Sequence, residues 1–110
     1  MEITTEQADV PALDRAHVLA VVGRITSPRL EVPPLTDTLE RMDTVAGMLR
    51  ALVDHTRGDQ REAVRVMRRL SNRLLDAPPH ADATPFTAWQ HLVNLARCTE
   101  AFIDVERRTA

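Results

Sequence analysis

Between Pro34 and Gly58, Leu35, Leu39, Met42, Ala46, Leu49 and Val53 recur at alternating intervals of four and three. Apolar residues at that period line one face of an α-helix. Ala63, Met67, Leu70 and Leu74 form a second stripe, and Trp89, Leu92 or Val93, Ala96, Thr99 and Ile103 a third. Such helices must cover their stripes against one another, so the pattern predicts an all-α fold, an antiparallel up-down four-helix bundle. Strand signals, repeats and a domain boundary are not seen, and residues 1–110 read as a single helical domain, with 1–8 polar and frayed.

The helix ends follow from local chemistry. Asp9 before Val10-Pro11 reads as an N-cap followed by proline in the first turn, giving a first helix from about Pro11 to Ile25. Leu13, Ala16, Ala20 and Ile25 line one side of it, but Val18, Leu19, Val21 and Val22 make it apolar nearly all round. Ser27-Pro28 and Pro33-Pro34 break the chain into a loop. Asp37 with Glu40 forms a capping-box pattern, and the second helix should end at Arg57 with Gly58 in a left-handed cap. Asp59 with Glu62 repeats the box, so a third helix begins at once, runs to about Asp76 and forms a hairpin with the second. Pro78-Pro79 ends it, and His80 to Ala83 is loop. Thr84 then caps a fourth helix with Pro85 in its first position, extending to about Arg107.

Composition narrows the classes. The chain has 110 residues and a formal net charge of −2, which neither points to nucleic acid nor rules it out. A chain of this size hides roughly 65% of its unfolded surface, enough for a core without disulfides or metal. One cysteine, Cys98, leaves no internal disulfide, as suits a reducing cytoplasm. The acidic start carries no secretory core, and the longest apolar run, Val18 to Val22, is far short of a membrane span, so the expected location is cytoplasmic. All fourteen basic residues are arginine, as a G+C-rich coding sequence produces. Phe86, Trp89 and Phe102 are the only aromatics, which leaves little for stacking nucleobases.

Three surfaces stand out. Arg61, Arg65, Arg68, Arg69 and Arg73 lie along the third helix, where a row of guanidinium groups can track phosphates. The ordinary alternative is a solvated face partly neutralised by Asp59, Glu62 and Asp76. The helices flanking Gly58 are too long for a typical DNA-reading helix-turn-helix. Apolar residues in excess of one core, Val18, Leu19, Val22, Val45, Met48 and Leu52, mark a possible subunit interface. A pocket near Trp89, His91 and Cys98 is the third. His91 and Cys98 share a helical face two turns apart, about 10 Å, too far for a Cys–His nucleophilic pair within one helix. CxxC, HExxH, Glu-x-x-His, phosphate-loop and Gly-x-Ser-x-Gly motifs are missing, so no metal, cofactor or catalytic residue is assigned.

The stretches MLRALVDHTRGDQ, AVRVMRRLSNRLLDAPP and HLVNLARCTEAFIDVERR resemble a family of small helical proteins from G+C-rich filamentous bacteria. That family is a domain of unknown function labelled "natural product biosynthesis protein". The resemblance runs from about Leu35 to Arg108. Its local matches are Met48-Leu49-Arg50, Arg73-Leu74 before the proline loop, and Leu95-Ala96-Arg97. Family members end on a Cys-x-His-Tyr-Glu-like motif, of which Ile103-Asp104-Val105-Glu106 keeps only the glutamate. The resemblance implies a setting in secondary-metabolite gene clusters and no reaction. The expected function is therefore a non-enzymatic accessory module that docks a partner protein or a second copy of itself as a homodimer. The alternative is a nucleic-acid-binding or regulatory protein using the arginine face.

Overall fold

The computed structural model describes residues 13–77 and 83–108. They form four α-helices: α1 (Arg15–Thr26), α2 (Leu35–His55), α3 (Glu62–Leu75) and α4 (Pro85–Arg108). No strand occurs among the described residues. The expectations for segment 1–8, the Asp9 cap, Pro11 and the Pro78-Pro79 stop fall outside the described residues, as does all of 80–83 except Ala83.

Several ends differ from the sequence expectation. Leu13 and Asp14 are not helical; α1 starts at Arg15, where Asp14 Oδ1 accepts from the His17 amide at 3.1 Å. The rigid Pro33-Pro34 pair launches α2 at Leu35, and no side chain caps it; Asp37 sits in the first turn, where its charge favours the helix dipole. Gly58 has no positive φ. Instead α2 stops at His55, and Thr56 Oγ1 donates back to Leu52 O at 2.8 Å. The Asp59–Glu62 box does not form, because Asp59 is taken by Arg61: its Oδ1 accepts from the Arg61 amide at 3.0 Å. α3 therefore begins only at Glu62, after a connection spanning 56–61. Thr84 Oγ1 accepts from the Thr87 amide at 3.1 Å, and Pro85 opens α4 as expected.

α4 is the hub. It packs against each of the other three, most extensively against α2, while α2 and α3 touch less. Ala88 and Ala96 are fully buried on α4, and side chains this small let neighbouring axes come close. Arg15 at the start of α1 reaches Glu106 at the end of α4, and Arg61 just before α3 reaches the Glu106 carbonyl. α1 and α3 thus run antiparallel to α4. Pro34, Asp37 and Pro85 line one cleft, so α2 and α4 start at the same end and run alike. The up-down order holds, yet the two parallel helices meet directly, which a square bundle would keep on its diagonal.

The buried faces are rotated from the sequence stripes. In α2 the core positions are Thr38, Met42, Val45, Leu49, Leu52 and Val53, and Leu39 is exposed. In α3 they are Val64, Met67 and Ser71; Ala63 is exposed and Leu70 is 43% exposed. In α1, Val18, Val22 and Ile25 point inward, while Ala16 and Ala20 face solvent. α4 buries Ala88, Leu92, Leu95, Ala96, Thr99, Phe102 and Ile103.

Candidate functional site

Burial disposes of most of the expected interface. Val22, Val45 and Leu52 have no exposed surface and Val18 almost none, so they build the chain's own core. Only Leu19 and Met48 keep part of their surface. The apolar surplus read from the sequence is used up largely by the contacts that α1 and α2 each make with α4.

The arginine row is divided. Arg61 grips Asp59 in a fork, with Nε to Oδ1 at 2.9 Å and Nη2 to Oδ2 at 2.5 Å. That guanidinium, by hydrogen bonding first of all, pulls the Asp59 carboxyl from 3.8 to about 2, and Arg61 is raised in turn. Arg68 turns back to donate through Nη1 to the Thr56 carbonyl and, at 3.0 Å, to the Asp59 carbonyl. Both arginines therefore fasten the α2–α3 connection. Arg65 and Arg69 share Glu62 at 3.7 and 4.0 Å, and Arg73 is exposed. Arg57, Arg65, Arg68, Arg69 and Asn72 line an open groove beside Val53.

Cys98 does not join a site with His91. Its thiol lies 3.6 Å from Ser71 Oγ on α3, and burial pushes its pKa up. Burial lowers the pKa of His91. Among the described residues no three His, Cys, Asp or Glu converge as metal ligands, and no helix is long and apolar enough to cross a membrane.

Trp89 lies elsewhere, at the end of the molecule where α1 stops and α4 starts. There Ile25, Arg29, Leu30, Val32, Phe86, Trp89, Val93 and Arg97 border a groove of about 500 Å³. Leu30 is fully exposed, Phe86 is 56% exposed and Val32 42%. The Arg29 guanidinium sits 5.0 Å from the Trp89 ring centre, a cation–π distance. Local sequence explains the display. Ser27 closes α1 onto the Gly23 carbonyl, with its amide at 3.1 Å and its hydroxyl at 2.8 Å. Pro28 and Pro33-Pro34 then keep the chain out of helix while it bends at Leu30 and Glu31, so Leu30 is not drawn into a helix face. Phe86 stands in the first turn of α4, ahead of the buried stripe.

Charge at this end is one-sided. Arg24, Arg29, Arg41 and Arg97 form no ion pair with any described carboxylate. Glu31 lines the groove and the neighbouring cleft without pairing with them. The surface joins exposed apolar side chains to guanidinium groups that have no carboxylate partner among the described residues, which suits binding. Sequence reasoning found Trp89 but not this surface. The available signal was Leu30, a large apolar residue stranded between two proline breaks and belonging to no stripe. Comparison with protein families, curated proteins and solved structures finds no match for this chain.

Proposed function

We propose that the protein is a non-catalytic interaction module that docks a partner protein over Leu30, Val32, Phe86 and Trp89. The observation that carries this reading is the complete exposure of Leu30 beside a half-exposed Phe86. Water contact with so much clustered apolar surface is unfavourable, and such patches mark association sites. Arg29 and Arg97 flank the groove, with Arg24 and Arg41 nearby, so the fitting partner is an amphipathic helix with acidic residues beside its apolar face. A two-fold pairing of the same surface would set these arginines against each other, which argues for a different protein rather than a second copy. The resemblance to helical proteins of natural-product biosynthesis is compatible with such an accessory role in the cytoplasm.

The test is a photo-crosslinking residue at position 30, compared with one at the exposed position of Asp43 on α2. In native-host cells the reading requires a discrete adduct from position 30 alone, abolished by Phe86→Glu. An adduct with twice the chain's mass identifies a homodimer and overturns the partner assignment. Equal adducts at both positions, or none, overturn the surface itself.

A further inference from the structure

Behind the groove, between α1 and α2, lies a smaller cavity of about 200 Å³. Val21, Arg24, Ile25, Arg29, Arg41 and Thr44 line it. Three of these six side chains are guanidinium groups, and none is a carboxylate. Arg41 Nη1 is buried without a hydrogen-bond partner. Such an atom is costly to leave unmatched, since burial removes the water that would otherwise satisfy it. We propose that this cavity binds the doubly charged head of a phosphate monoester.

The rest of the local chemistry points the same way. Arg29 Nη2 makes one long contact, 3.4 Å, to the Arg24 carbonyl, and its guanidinium is braced by Trp89. Its remaining donors are uncommitted. Asp37 lies one turn before Arg41 and, with Glu31, lines an outer cleft shared by Arg29 and Arg41. Neither acid pairs with those arginines. Arg61 and Arg68 show what this chain does with structural arginines: it gives each a carboxylate or backbone carbonyls. The α1–α2 arginines receive nothing comparable. Guanidinium forks match tetrahedral oxyanions, and a phosphate monoester carries about −1.5 to −2 charges near neutral pH, closer to three cations than a carboxylate comes. The cavity exceeds the volume of a water molecule, about 30 Å³, several-fold, so a phosphate fits. The cavity and the docking groove share Ile25 and Arg29 in their linings, and Arg24 and Arg41 stand beside both, but the cavity's ligand is a small anion and its test needs no partner protein.

The experiment is a titration of the ¹⁵N-labelled chain with inorganic phosphate, up to about 5 mM at fixed ionic strength. Saturable shifts are expected at Arg24, Arg41 and Thr44. Arg41→Gln should bind about tenfold more weakly or worse. Without phosphate it should melt no lower than the parent chain, because it removes a buried guanidinium nitrogen that has no hydrogen-bond partner. Arg24→Gln, at an exposed position, repeats the affinity test without altering a buried atom. The site is refuted if no saturable shift appears, if both variants bind as the parent does, or if the shifts fall on Arg57, Arg65 and Arg69 instead.

Discussion

Leu49 and Leu70 look equivalent in the sequence, yet α2 buries the first completely and α3 leaves the second 43% exposed. Truncating a leucine in a packed core costs about 2–5 kcal/mol, from lost transfer energy and the cavity left behind. With no exposed surface, Leu49→Ala belongs near the middle of that range, about 3 kcal/mol. A domain of this size loses roughly 5 °C of Tm per kcal/mol, so melting should fall by about 15 °C. Full burial of a leucine is worth about 1.5–3 kcal/mol, and Leu70 hides little more than half its surface without closing a cavity. Leu70→Ala should therefore cost about 1 kcal/mol or less, or roughly 5 °C. Charged variants widen the gap. Leu49→Glu strands a carboxylate among Val45, Leu52 and their neighbours and should not fold, whereas Leu70→Glu should melt within a few degrees of the parent chain. Circular dichroism melts of the four variants decide the matter. Equal losses at the two positions would mean that the buried face of α3 is the one the sequence stripe suggests, and the packing described above would be wrong.

Gly47 lies on the exposed side of α2, and an added Cβ would meet nothing within 4 Å, so Gly47→Ala should raise stability by about 0.5–1 kcal/mol in a urea titration. Asp59 has a folded pKa below its unfolded one, so its contribution is complete above about pH 4 and disappears as pH falls towards 2. The stability difference between the parent chain and Asp59→Asn should shrink across that window; a constant difference would refute the Arg61 pairing. Arg15 clasps Glu106 through two contacts of 2.6 Å, but the arginine is 35% exposed and solvent screens the pair. Arg15→Ala should cost about 1 kcal/mol or less, and less still in high salt, as measured by urea midpoints at two ionic strengths.

Helix number and the inward positions of α4 were legible because alternating three- and four-residue spacing has no other use. The face of α3 was misread for a chemical reason. Ser71 is polar by name but returns its hydroxyl to the Met67 carbonyl of its own helix at 2.7 Å. So satisfied, it packs as a small core residue, and the α3 stripe rotates towards it. Thr38 is buried as well, although its hydroxyl finds no partner. The Gly58 and Asp59 expectations failed because Arg61, two residues on, took the Asp59 carboxylate and Arg68 reached back to the Thr56 and Asp59 carbonyls. Nor could the exposed apolar end be read from periodicity. Leu30 and Arg29 sit in a loop, and their meeting with Phe86 and Trp89 depends on the direction in which α4 returns across α1.

The helix on which the other three lean is also made after them. A ribosome releases α1, α2 and α3 before α4 exists, and α2 and α3 share too little contact to hold as a pair. Their oily ridges must wait in water, or in the care of a chaperone, until α4 clears the exit tunnel. Assembly of these helices thereby waits for α4, and a chain halted before residue 85 carries helices with nothing to close around.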